Sequence, residues 1–170
     1  GMQRVPDAGG TPTPVTKLTT SGTSDGHRYP QFLPDGERFL YLHLTSTPDV
    51  GGVYIGALNG AAPVKVLDGQ ESAWYSPGAT SGGGYLLVRR QDTLMAQPFD
   101  PVSLTLSDAA VPLAEELITN PVANQSGGFS VSAVGSIVFQ TARSADSWLG
   151  WIARAKSSQS SPSPITRRRP

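Results

Sequence analysis

The sequence predicts an all-β protein built from repeated antiparallel strands. The chain of 170 residues contains 19 glycines and 15 prolines, which interrupt helical pairing too often for long helices. Short apolar and aromatic runs alternate with turn signals such as Pro-Asp-Gly at residues 34–36. The order of runs and turns then repeats along the chain, which indicates a repeat fold of stacked units.

The composition narrows the partners and the site chemistry that we expect. Thirteen basic and thirteen acidic residues give a net charge of +0, so no long-range attraction to nucleic acid or to an anionic membrane is predicted. The absence of cysteine excludes disulfides, zinc–thiolate sites and a cysteine nucleophile. No apolar run approaches the roughly 20 residues of a membrane helix, so we expect no membrane contact by this segment.

The first repeat begins with the stretch RYPQFLPDGERFLYLHL, residues 28–44, in which a turn separates two apolar runs. Asp35 and Gly36 supply the turn, because Gly adopts positive φ and Asp accepts hydrogen bonds from neighbouring amides. Two further runs complete a four-stranded meander. The predicted strands of this unit are Tyr29–Leu33, Arg38–Leu44, Val53–Leu58 and Val64–Leu67.

Two more units follow with the same order of strands. The second unit has predicted strands at Ala73–Tyr75, Tyr85–Val88, Thr93–Phe99 and Val111–Ala114. The third has them at Gly128–Ser132, Ser136–Gln140 and Trp148–Ile152, and it lacks a fourth strand. Residues 15–19 read as an isolated strand that would serve as the missing fourth strand of another unit.

The repeat period of about 45 residues lies in the range of four-stranded propeller blades. We therefore predict β-propeller blades, about three per chain, over residues 15–156. Residues 1–14 read as a tag remnant and linker, and residues 157–170 as a disordered polar and basic tail. Because three blades close a ring poorly, a homodimer of about six blades is expected, in which each first strand completes the partner's last sheet.

Four segments carry a family likeness: HRYPQFLPDGERFLYL, GGVYIGALNG, GYLLVRRQDTLMAQPFDP and VPLAEEL. In this order they resemble the TolB-type, WD-repeat-like β-propellers. More narrowly, they resemble the propeller segments that follow the kinase domain and membrane helix in many bacterial serine/threonine protein kinases. The likeness spans about Val15 to Lys156. It departs from the family at the end, where the polar tail KSSQSSPSPITRRRP stands in place of further blades.

The resemblance implies a noncatalytic module that binds a protein, a peptide or a small molecule. Such a module would be the sensor segment of a membrane kinase or a periplasmic TolB-like binder, in a periplasmic or extracytoplasmic location. The chain carries no kinase motifs: there is no Gly-rich phosphate loop with its Lys, no His-Arg-Asp and no Asp-Phe-Gly. The alternative is a propeller-based hydrolase or lyase with an active site that these motifs do not reveal.

Candidate catalytic residues are sparse. The segment GTSDG, residues 22–26, has the form of a hydrolase nucleophile elbow around Ser24, with His27 beside it. That elbow needs a helix after the serine, whereas a strand and a turn follow here, so we expect a polar loop. The two histidines and the spacing of the acidic residues predict no metal site and no cofactor. We therefore expect the chain not to be an enzyme.

Four residues are candidates for ligand binding: His27, Arg28, Trp74 and Tyr75. His27 and Arg28 lie at the start of the first inner strand, and in the propellers that this chain resembles a polar residue often stands there. Trp74 and Tyr75 could form an aromatic platform for a carbohydrate or a peptide. The alternative for both aromatic residues is packing between neighbouring sheets, which is common at strand positions of stacked blades.

Overall fold

The computed structural model describes residues 1–18, 25–47, 49–78, 83–118 and 128–141, and every regular element in these ranges is a strand. The prediction of an all-β protein is therefore confirmed. No helix in these ranges is long and apolar enough to cross a membrane. The strands are β1 Gln3–Arg4, β2 Thr13–Pro14, β3 Gly26–Phe32, β4 Arg38–Leu44, β5 Gly52–Ala57, β6 Val64–Asp68, β7 Ala73–Pro77, β8 Gly84–Arg90, β9 Thr93–Asp100, β10 Thr105–Leu106, β11 Val111–Ala114, β12 Phe129–Val131 and β13 Ile137–Phe139.

The first sheet is an antiparallel meander in the order β3-β4-β5-β6, as the sequence predicts. Its first hairpin forms because the Asp35 carboxylate accepts the backbone N–H groups of Glu37 at 3.0 Å and Arg38 at 2.9 Å. Gly36 takes a φ of 69°, a conformation that glycine adopts without a Cβ penalty. The turn thereby fixes the register of β3 against β4, in which Phe32 pairs with Phe39.

The second sheet has the order β7-β8-β9, and the place beside β9 is shared by two short strands. The last residues of β9 pair with β10, and its first half pairs with β11. The division follows from a turn at residues 101–104, where the Asp100 carboxylate accepts the N–H of Val102 at 2.7 Å. The sequence predicts β11 with its observed bounds. It does not predict β10, because a strand of two residues is too short to show an alternation of apolar and polar residues.

The third sheet is the hairpin of β12 and β13, in which Phe129 pairs with Phe139. An isolated bridge joins Leu117 to Thr141 and brings the end of the second unit alongside this hairpin. The predicted third strand of the unit, Trp148–Ile152, lies outside the described residues, as does the tail at residues 157–170.

The first and second sheets pack face to face. Successive side chains of a strand point to opposite faces, so Leu40 of β4 and Ile55 of β5 share the face that meets the second sheet. Tyr75, Leu86 and Phe99 approach them from the second sheet. This buried contact explains why the inward positions of both meanders are apolar.

The opposite face of the second sheet is buried as well. Leu87, Leu94 and Ala96 lie on it, and they pack against Leu117 and Phe129 near the third sheet. Leu86 and its neighbour Leu87 are both buried, at 0% and 1% exposure, although they point to opposite sides of β8. The second sheet thus packs against a neighbour on each of its faces.

A side-chain amide joins the edges of the first two sheets. Strand β3 has a bulge between Arg28 and Gln31, where Tyr29 takes a φ of 55°. Beyond the bulge, Gln31 accepts the backbone N–H of Tyr75 at 2.6 Å and donates to the Tyr75 carbonyl at 3.1 Å. The glutamine amide therefore satisfies the peptide groups of an edge strand, β7, which would otherwise be free to pair with another chain.

The N-terminal region differs from the prediction. Residues 15–18 form no strand, so that part of the predicted strand at residues 15–19 is wrong. Instead β1 and β2 make a small hairpin within the segment predicted to be a linker. The reason is local bonding: the Val15 N–H donates to the Met2 carbonyl at 3.0 Å, and the Thr16 hydroxyl accepts the Met2 N–H at 2.7 Å. These bonds turn the chain back on itself before it can add to a sheet.

We expect Gln31→Ala to lower the free energy of unfolding by roughly 2 kcal/mol, because it removes two hydrogen bonds and leaves the Tyr75 peptide groups without their partner. Urea denaturation followed by tryptophan fluorescence measures the change. Gln97→Ala is the matched control, since the Gln97 amide makes a single exposed bond to the Asp108 carbonyl at 3.1 Å. Equal losses in the two variants would contradict the role given to Gln31.

Candidate functional site

The first sheet carries a row of aromatic and imidazole rings on the face that points away from the second sheet. Phe39, Tyr41 and His43 alternate along β4 with the leucines of the opposite face. Tyr54 of β5 pairs with Tyr41 and lies on the same side, and His27 of β3 pairs with His43. We call His27, Tyr41, His43 and Tyr54 the histidine–tyrosine cluster.

The rings of this cluster are in direct contact. The centroid of the His27 ring lies 4.7 Å from that of Tyr41 and 4.7 Å from that of His43, the second pair meeting edge to face. Tyr41 and Tyr54 are stacked, with centroids 5.8 Å apart. Tyr41 and His43 are 3% and 5% exposed, so the middle of this outward face is closed to solvent.

Burial sets the protonation of both histidines. Burial, with smaller effects of the His43 ring and the Gly1 amine, lowers the pKa of His27 from 6.5 to about 4. The pKa of His43 is also lowered by burial, while the charge of Asp25 acts to raise it and that of Lys65 to lower it. Both imidazoles are therefore neutral near pH 7.

Two further features define the chemistry of the cluster. The Nε2 atom of His43 is buried and has no hydrogen-bond partner in the described part of the chain. Burial and the neighbouring Tyr54 raise the pKa of Tyr41 to about 12, so its phenol stays protonated. The cluster thus offers neutral donors and acceptors among stacked rings, which suits hydrogen bonding and aromatic packing.

The charged groups near the cluster are engaged with one another. Lys65, opposite Tyr54 on β6, donates to the Asp49 carbonyl at 2.9 Å and forms an ion pair with Asp68 at 2.6 Å. The Tyr54 hydroxyl donates to the Val50 carbonyl at 2.7 Å. Within the described ranges, no group of three or more His, Cys, Asp or Glu side chains could hold a metal ion.

The four residues predicted to bind a ligand do not form one site. Trp74 and Tyr75 are neighbours on β7 and point to opposite faces of the second sheet. The ring of Tyr75 packs on Phe99 at 6.2 Å, whereas that of Trp74 meets Phe129 at 6.5 Å. Each aromatic residue therefore serves a different interface between sheets, which is the packing alternative left open by the sequence.

His27 and Arg28 lie together at the start of β3, but on opposite sides of the strand. His27 pairs with His43 in the cluster, while Arg28 pairs with Leu42 and is exposed. Tyr41, His43 and Tyr54 were not predicted as site residues. The alternation in FLYLHL, residues 39–44, was the signal that could have placed Tyr41 and His43 beside one another. Ser24 lies outside the described residues.

Comparisons of the chain with protein-family models, with curated proteins and with solved structures found no match.

We expect Gly56→Ala to destabilise the protein by roughly 1–3 kcal/mol through overpacking at this face. A Cβ at Gly56 would lie 2.8 Å from the Phe39 ring and 3.3 Å from the Tyr41 ring. Thermal unfolding monitored by near-ultraviolet circular dichroism gives the change. Gly83→Ala is the control, because no atom lies within 4 Å of a Cβ there. If Gly56→Ala unfolded at the same temperature as the unchanged protein, the prediction would be wrong, because the rings would have moved without loss of stability.

Proposed function

We propose that this chain is a noncatalytic recognition module of the β-propeller type, which binds a protein, a peptide or a small molecule. The observation that carries the proposal is the enclosure of the second sheet, whose two faces pack on the first sheet and on residues at the third. Neighbouring blades of a propeller bury one another in this way and leave loops and strand ends for binding.

The TolB-like and kinase-associated identity is part of the proposal. It is supported by the order and spacing of the motifs at residues 27–42, 51–60, 84–101 and 111–117, which fall on strands and their connecting turns. In that setting the module would work outside the cytoplasm, as a sensor segment or as a free binder.

A second copy of the chain would complete the ring. The outward face of the third sheet carries the exposed Val138, at 73%, and the neighbouring turn carries Val134, at 85%. Solvent-exposed apolar residues beside a short sheet favour association with another surface. Two chains related by a two-fold axis would bury these exposed valines in the contact between them.

Light scattering tests this assembly. We expect the unchanged protein to have twice the mass of the chain at micromolar concentration. Val138→Glu should have the mass of a single chain, because a charge buried in the contact would prevent association. Val102→Glu is the matched control, because Val102 is also exposed, at 74%, but lies in the turn after β9. A single-chain mass for the unchanged protein would contradict the closed dimer.

Recognition itself is tested with a soluble peptide library and a broad hydrolase screen on the same preparation. We expect saturable peptide binding without turnover, weakened about tenfold by Arg28→Ala, which removes an exposed cation near the start of β3. Arg90→Ala is the control, since Arg90 is exposed at the end of β8. Turnover that is abolished by Ser24→Ala or His27→Ala would overturn the proposal in favour of a hydrolase.

A further inference from the structure

The N-terminal arm, residues 1–18, is attached to the histidine–tyrosine cluster at one point. The Nδ1 atom of His27 lies 2.8 Å from the hydroxyl oxygen of Thr16. The same hydroxyl accepts the Met2 N–H at 2.7 Å, so it also holds the two ends of the arm together. The bond to His27 therefore docks the arm hairpin on the first sheet.

The docked arm lies at a face that the second sheet does not cover. Tyr41 and His43 point away from the second sheet, yet both are buried, and the His27 ring that contacts them is bonded to the arm. Detachment of Thr16 would free the His27 ring, which packs on both of these residues.

We propose that residues 1–18 are a releasable strap over the histidine–tyrosine face, and that proton uptake by His27 and His43 releases it. The two imidazole rings are adjacent, so two protons would place two like charges within about 5 Å of one another. The buried Nε2 of His43, which has no partner in the described ranges, would become a charged donor without an acceptor. Opening of the strap hydrates both charges and removes this cost.

Other charged groups surround the two histidines. The Gly1 amine on the arm and Lys65 on β6 oppose protonation, and Asp25 before β3 favours it at His43. Tyr41 stays neutral below pH 8, because its pKa is raised to about 12. Lys65 is paired with Asp68, which moderates its effect. Burial and two cations thus lower the pKa values of the histidines, and one carboxylate acts to raise that of His43.

The direction of the pH effect follows from linkage. A histidine whose pKa is lower in the closed state than in the open state binds more protons when open, so acid favours opening. The pKa of His27 is lowered to about 4 in the closed structure, and release of the arm moves it toward the ordinary 6.5, so the ratio of open to closed arm rises as the pH falls through this range. Protonation of His43 adds to this ratio.

Hydrogen exchange measured by mass spectrometry on the full chain tests the strap. After correction for the intrinsic pH dependence of exchange, we expect the arm amides, such as Val15, to lose protection between pH 8 and pH 5, because a detached two-stranded hairpin is only marginally stable in water. Peptides from β8, in the enclosed second sheet, should keep their protection over the same range. Loss of protection in the arm and β8 together, or in neither, would overturn the proposal.

Variants at the anchor separate a strap from simple acid sensitivity. Thr16→Val removes the hydroxyl at nearly constant volume and should open the arm at a higher pH, whereas Thr16→Ser should behave as the unchanged protein. Thr13→Val is the matched control, since the Thr13 hydroxyl contacts only the exposed Arg4, at 3.4 Å. Because the chain has two histidines and both lie in the cluster, histidine-selective NMR reads the site directly. If the arm amides of Thr16→Val were as protected from exchange as those of the unchanged protein at every pH, the strap proposal would be refuted.

Discussion

The fold depends on burial of both faces of the second sheet. A strand such as β8, with Leu86 on one side and Leu87 on the other, cannot be stable at a solvent boundary, because each face exposes apolar area that water disfavours. The first sheet covers one face, and residues at the third sheet cover the other. Other contacts, including the Gln31 amide at the edge of β7, add to the stability of the stacked sheets. The burial of both faces is what requires the sheets to stack.

The stack of sheets ends at the outward face of the first sheet, and the residue types of this face differ from those of the enclosed interfaces. The outward face of the first sheet is made of stacked rings rather than aliphatic side chains, and one of its polar atoms, Nδ1 of His27, is bonded to Thr16 of the arm. Imidazole and phenol rings tolerate both a buried and a hydrated setting, because each joins an apolar body to a polar tip. The terminal face can therefore be closed by a short segment of its own chain, while the enclosed interfaces use leucine, isoleucine and phenylalanine.

Much of the architecture could be predicted from the sequence, because turn chemistry and alternation act locally. Strand β4 was predicted with its observed bounds, since the Asp35 turn fixes where it begins and its apolar positions are unbroken. The arm hairpin was missed because its two-residue strands carry no alternation and depend on contacts of Met2 with residues 15 and 16. The cluster was missed for a related reason: His43 meets His27 only through cross-strand register, which residue types alone do not specify. For Trp74 and Tyr75 the sequence left two interpretations, ligand binding and packing between sheets, because residue type alone does not show which face of a strand is covered; in the structure their rings contact Phe129 and Phe99.

The most direct test of the stack is the pattern of nuclear Overhauser contacts from two neighbouring leucines in methyl-labelled protein. The account predicts that the methyl groups of Leu86 contact side chains of the first sheet, such as Leu40 and Ile55, while those of Leu87 contact Phe129. Methyl groups of both leucines that contact only residues of their own sheet would show that the sheets are not packed face to face, and the account would be wrong.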